Sequence, residues 1–210
     1  KGESLRSVAG AVGISPSLLS QVENSKTSPS VSTLYALVSH LGVTMDAITA
    51  PPETLAGGMD ERNRKKSNGV VQRRHDNQKL QMQNGVVWER LADSASSLVD
   101  PLLVTYEPGA GSSLDGQLMA HNAAEFGLLL EGELTLILEG EPHTIKAGDS
   151  FSFDANRDHR YLNTTNVPAR GVWFVVSKTQ ENKPTANGDA NKANPQSAVE
   201  VLAIMGKNRR

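Results

Sequence analysis

Apolar positions along this chain follow two periods, helical over the first forty residues and strand-like over much of the remainder. Leu5, Val8, Ala9 and Val12 recur one turn apart behind Ser4, whose hydroxyl suits a helix N-cap. Gly13 stands where a helix closes in the left-handed conformation. Ser15-Pro16 opens a second helix, because proline in the first turn loses no hydrogen bond there. Leu18, Leu19 and Val22 give this helix an apolar side, and Ser17, Ser20, Gln21 and Asn24 a polar one. A third helix starts near Ser30, carries Val31, Leu34, Leu37, Val38 and Leu41, and stops at Gly42.

Pro51-Pro52 ends the helical part, and residues 53–69 have the polar, charged, glycine-containing composition of a linker. Short β-type runs follow: Val86–Trp88, Leu102–Tyr106, Phe126–Leu130, Leu134–Leu138, Phe151–Phe153 and Val172–Val176. Leu134, Leu136 and Leu138 alternate with Thr135 and Ile137, so one face of that strand is apolar. Turn signals at Pro108-Gly109, Glu131-Gly132, Gly140-Glu141-Pro142, Gly148-Asp149 and Asn166-Val167-Pro168 separate the runs, a pattern that predicts a β-sandwich or barrel. Asp149 is expected to close its turn on the backbone. The stretch from Ser177 to Asn194 offers almost nothing to bury and reads as disordered; Ala198–Met205 could form a helical turn or two. The expected divisions are 1–50, a helical domain; 51–69, a linker; 70–176, a β domain; and 177–210, a mostly disordered tail.

The wording from Leu5 to Lys26 resembles the phage-repressor, or Cro/C1 (xenobiotic response element), helix-turn-helix family. By that resemblance the second helix enters the major groove. Ser17, Ser20 and Gln21 would face base edges, where serine is permissive and glutamine can pair with adenine. Ser15, Asn24 and Lys26 would lie nearer phosphates, and the helix starts at Ser4 and Ser15 could offer N–H groups to them. The family unit has a helix ahead of this pair, so the first helix is expected to be truncated in a chain starting at Lys1. A small helical bundle for protein contacts is the bland alternative.

Charge and composition adjust this picture. The 210 residues suffice for two small domains, and 38% hydrophobic content supports a core in each. The absence of cysteine excludes disulfides and thiolate metal sites and suits a reducing, cytoplasmic setting. No apolar run approaches a membrane span, and no leader is read. Residues 1–50 are net neutral, 60–90 net +4 and 100–176 net −7. A neutral reader should bind phosphates weakly alone, so DNA affinity calls for dimerisation or help from Arg62, Arg64, Lys65, Lys66, Arg73 and Arg74. The basic run from Arg62 to Lys66 has solvated chain as its default reading.

Two β-region segments resemble the cupin family over residues 100–176. His121-Asn-Ala-Ala-Glu125, with Gly132 seven residues on, looks like its first motif, and Gly148, His159 and Asn163 fall at the spacings of its second. Asp154 and Asn156 replace its usual proline and glycine, and Met119 replaces the first histidine of its metal-binding members. The resemblance implies a double-stranded β-helix with an internal pocket. His121, Glu125 and His159 could hold a divalent ion (Fe, Mn or Zn), hydrogen-bond an organic effector, or satisfy one another in a barrel core. Tyr161 and Asn163 could line the pocket or stabilise a strand end. Trp88, Phe126, Phe151, Phe153 and Trp173 are expected in the core, since only nine aromatic residues are present to fill a barrel. His40, His75 and His143 have surface or packing roles by default.

Together these imply a multidomain α and β protein, an all-α helix-turn-helix bundle followed by an all-β cupin barrel. The function so read is a homodimeric, cytoplasmic transcriptional regulator of double-stranded DNA, tuned by a small-molecule effector, with no catalytic residue and no membrane role. The rivals are a metal-dependent cupin dioxygenase or isomerase with an accessory DNA-binding segment, and an antitoxin-like interaction module.

Overall fold

The computed structural model describes residues 2–42, 71–92 and 99–177. The expected linker 51–69, the basic run Arg62–Lys66 and tail residues 178–210 lie outside the described residues.

Three helices come first: α1 (Leu5–Ala11), α2 (Pro16–Glu23) and α3 (Val31–Leu41). Each starts on a serine whose hydroxyl accepts a backbone N–H three residues on: Ser4 from Ser7 (3.2 Å), Ser15 from Leu18 (3.1 Å) and Ser30 from Thr33 (3.1 Å). Gly42 ends α3 in the left-handed conformation, and Gly13 adopts the same region after α1. Val8, Ala9, Val12, Leu19 and Leu37 bury together as a small helical core.

Nine antiparallel strands follow among the described residues: β1 (Lys79–Gln81), β2 (Val86–Arg90), β3 (Val99–Tyr106), β4 (Ala123–Glu131), β5 (Glu133–Leu138), β6 (Glu141–Lys146), β7 (Ser150–Asp154), β8 (His159–Leu162) and β9 (Ala169–Ser177). They form a six-stranded sheet in the order β1-β2-β3-β9-β4-β7 and a three-stranded sheet in the order β6-β5-β8. Bridges from Gly111 to Leu162 and from Met119 to His159 connect the loop before β4 with β8. Inward residues alternate along the long strands: Leu102, Val104 and Tyr106 on β3; Leu134, Leu136 and Leu138 on β5; Trp173 and Val175 on β9.

The same alternation corrects one expectation. On β4 the buried positions are Ala123, Glu125, Gly127 and Leu129, so Phe126 faces outward and is 45% exposed. A period of two cannot bury both Glu125 and its neighbour, and the motif assigns the inner face to the carboxylate. Phe126 pairs in register with Phe174 of β9, which is also exposed. Trp88, Phe153 and Trp173 are buried and Phe151 packs against the core, as the sequence suggests. Asp149 closes its turn by accepting the Lys146 N–H at 2.8 Å.

Helix α3 belongs to two cores. Leu37 faces the helical one, whereas Val31, Leu34 and Tyr35 are buried in the core of the barrel, with Val38 against them. These four lie at i, i+3, i+4 and i+7, the stripe a helix presents on one side. Two backbone bonds fasten the junction: Ser32 N–H donates to Ser112 C=O (2.9 Å), and Gln83 N–H donates to Pro29 C=O (3.0 Å).

Candidate functional site

Strand β4 carries Glu125 inward, and the loop before it brings in His121. Strand β8 adds His159 and Tyr161, which alternate inward with Arg160 between them. The side chains of His121, Glu125 and His159 are 8%, 2% and 0% exposed. One ligand atom from each lies within 4.8 Å of the others. Two motifs far apart in sequence thus meet inside the barrel.

Glu125 is held at both oxygens. His121 Nε2–H donates to Oε1 at 2.8 Å and the Tyr161 hydroxyl donates to Oε2 at 2.7 Å. Burial alone would raise the carboxyl; the hydrogen bond from His121, the approach of His159 and the charge of both imidazoles outweigh it and bring it down to about 2. Burial, reinforced by the nearby Glu125 charge, pushes the Tyr161, Tyr106 and Tyr35 hydroxyls well up, so all three stay protonated.

His159 is oriented by its other nitrogen. Nδ1–H donates to the Arg157 carbonyl at 2.8 Å, which fixes the ring with Nε2 turned into the site. That Nε2 is fully buried, lacks a hydrogen-bond partner among the described residues and stands 3.6 Å from Glu125 Oε1. A buried basic nitrogen fixed in this way, beside a second imidazole and an ionised carboxylate, fits a divalent ion held by two nitrogens and one oxygen. Met119, 6% exposed, lines the space at the position of the first histidine that the motif lacks here.

The other residues singled out by the sequence fall in different places. Tyr161 joins the site through Glu125. Asn163 stands apart: its amide donates to the carbonyls of Tyr106, Val167 and Glu107, and its oxygen accepts from Thr165. It ties the β8–β9 turn to the end of β3. Asp154 and Asn156 form a side-chain-closed turn in place of proline and glycine, with Asn156 N and Nδ2 both donating to Asp154 Oδ1 at 3.0 Å. In the helical unit Ser4, Ser15, Ser17, Ser20, Gln21, Asn24 and Lys26 all lie at or near the surface, Ser17, Gln21 and Lys26 among the exposed ones and Ser20 half-buried. Asn24 Nδ2–H donates to the Ser20 carbonyl (2.6 Å), so its amide caps α2. His40 contacts Glu3 at 3.0 Å, whereas His75 and His143 are exposed.

Sequence reasoning missed Tyr35. Its ring stacks on His121, centroids 3.8 Å apart and planes within 5°, and meets Trp88 edge-on at 6.0 Å. Tyr35 and Val31, both from α3, line the cavity beside Trp88, Tyr106, Met119 and Trp173. The apolar positions 31, 34, 37, 38 and 41 were read from the sequence, but Tyr35 was not among them, and an apolar period does not say which core a helix enters.

An exposed polar face on a capped helix pair, followed by a barrel with a polar interior cluster, is the arrangement of a two-domain helix-turn-helix protein. Comparison with known proteins agrees. The helix-turn-helix family matches residues 2–48 and the cupin-domain family residues 102–175. The HTH-type transcriptional regulator PuuR of Escherichia coli is 26% identical over 182 residues, 84% of this chain and 86% of that protein. The HTH-type transcriptional regulator SutR of Escherichia coli is 24% identical over 78% of this chain and 80% of its own. An HTH_3 family transcriptional regulator from Vibrio cholerae shares the fold at a TM-score of 0.55 and 18% identity, over 84% of this chain and 88% of that one. The chain thus carries a helix-turn-helix domain followed by a cupin domain, and over most of its length it is similar to helix-turn-helix transcriptional regulators.

Proposed function

We propose that α2 reads operator DNA in the major groove, as one half of a symmetric pair, and that the barrel binds the effector that governs this. The observation that carries the proposal is the polar side of α2. Ser17 and Gln21 are exposed on a helix anchored by Leu19, with Lys26 exposed just beyond its end. Ser17, Ser20 and Gln21 face bases; Ser4, Ser15, Asn24 and Lys26 sit by phosphates. The operative domains are 1–50 and 70–176.

The partner is a second copy of this chain. Phe126, Leu128, Leu130 and Phe174 make an exposed apolar stripe on the outer face of β4 and β9, 40–47% accessible. Such a contiguous stripe on a sheet face is what a self-complementary twofold contact uses. A neutral reader also needs a mate to gain enough phosphate contacts. Selection of random duplexes by the full chain should enrich two half-sites about one helical turn apart. No enrichment at low ionic strength would remove the DNA-binding reading.

The barrel cluster takes the effector at His121, Glu125, His159 and Tyr161, with a divalent ion (Fe, Mn or Zn) bound by the first three. The ion would supply a positive charge that organises a ligand's oxygen or nitrogen donors; the chain itself keeps Glu125 ionised and His159 Nε2 aimed inward. The role is regulatory rather than enzymatic and is placed in the cytoplasm, in keeping with relatives named as transcriptional regulators. No helix of the described residues is long and apolar enough to cross a membrane. Calorimetric titration with Mn²⁺ or Zn²⁺ tests the metal arm, and Glu125→Gln should weaken binding by about tenfold or more.

A further inference from the structure

We propose that α3 of the DNA-binding unit is the lid of the barrel pocket, so that an organic ligand reaches the His121–Glu125–His159 site only by lifting Tyr35, and the reader with it, off the barrel. The inference rests on the effector reading of the barrel and specifies how occupancy would reach the DNA.

Three observations converge. First, the cavity beside the site, lined by Glu125 of the trio together with Tyr35 and Tyr161, has a volume of about 20 Å³, enough for one water and not for a metabolite. Anything larger must move part of the wall. Secondly, most of that wall is strand: Trp88, Tyr106, Glu125, Tyr161 and Trp173 all sit on β2, β3, β4, β8 or β9. Their backbones are paired on the strand ladders, so displacing them disrupts the barrel. Met119, on the loop before β4, is tied to β8 by paired backbone bonds with His159, whereas Val31 and Tyr35 come from α3, outside both sheets, and moving them breaks no strand pairing.

Thirdly, Tyr35 lies flat on His121, the most accessible of the three clustered side chains. It occupies the place a planar or apolar ligand group would take over that imidazole. Among the described residues the attachment is also limited in extent: one apolar stripe and two backbone bonds, Ser32 to Ser112 and Gln83 to Pro29. A junction of this kind can open as a unit while each core stays closed. Ligand entry and the docked placement of the helical unit therefore exclude one another. That supplies the differential affinity for two arrangements without which a ligand cannot shift an equilibrium.

The chain's tryptophans provide the readout. Both, Trp88 and Trp173, line the cavity and are 4% exposed. Acrylamide, a neutral solute too large for the closed cavity, quenches them only when the wall opens. The full chain lacks cysteine, so Pro29→Cys with Gln83→Cys places a single removable staple across the junction, at residues one backbone hydrogen bond apart. We expect the oxidised staple to suppress quenching severalfold and its reduction to restore the wild-type value. Tyr35→Ala should raise quenching severalfold above wild type with the thermal transition of the barrel retained; Tyr35→Phe, which keeps the stacked ring, should not. Equal quenching in stapled and reduced chain would overturn the lid whatever Tyr35→Ala does, since the staple removes no lid side chain. Operator binding of the wild-type chain, measured alongside, tests the regulator reading separately: its absence sinks that reading and leaves the quenching result standing.

Discussion

Glu125 sets the acid limit of the barrel. Its folded pKa of about 2 lies below the ordinary 4.5, so the stability it contributes is complete above pH 4.5 and is lost as pH falls through 2. That amounts to at most on the order of 3 kcal/mol. Urea unfolding across that acid window should show the loss in wild type and a flatter profile in Glu125→Gln. Tyr161→Phe removes the donor at Oε2 and should cost about 1–3 kcal/mol, with Glu125 titrating at a higher pH by NMR. Gly132, the last residue of the first cupin motif, has φ +78°, and a side chain there would run into the Pro168 carbonyl. Gly132→Ala should destabilise by roughly 2–4 kcal/mol in thermal unfolding. The trio itself was legible in the sequence because its spacing is a motif. The inner and outer faces of Tyr161 and Phe126 follow once His159 and Glu125 are placed, since both strands alternate. Asn163 was not legible: an asparagine serving three carbonyls looks the same in sequence as one lining a pocket.

The helices were the most readable elements, and caps are the reason. Ser4, Ser15 and Ser30 each stand one residue before a helix, and each hydroxyl takes the expected N–H. Ser30 is 2% exposed and also bonds the Ser32 and Thr33 hydroxyls. Ser30→Ala should therefore cost about 1–2 kcal/mol by denaturant unfolding, and loosen α3 at the end that meets the barrel. Most of the strands were visible as apolar runs. β1, β6 and β8 were not: β1 has three residues, and on β6 Ile145 alone is buried, between polar partners. β8 reads as polar because its inward residues are the working ones, His159 and Tyr161. A strand that builds a site loses the apolar signature by which strands are found.

At the scale of the molecule the outer face of β4 and β9 carries a prediction of its own. Phe174→Glu should weaken self-association by about tenfold or more in sedimentation, while the helical unit keeps its circular dichroism. Salt should erode operator affinity steeply, in proportion to the phosphates neutralised, and a helical unit with no net charge should bind more tightly as a pair than alone. Helical and β periods separate cleanly along the chain, yet on their own they suggest two beads on a string. Contact between the two could not be read, because Val31, Leu34, Tyr35 and Val38 satisfy a helical period whichever neighbour they enter. A helix answerable to two hydrophobic interiors limits recombination. A chimera joining this reader to a foreign barrel would leave a wet aromatic stripe, and one joining this barrel to a foreign reader would leave an uncovered mouth over His121, so the halves are expected to have changed together.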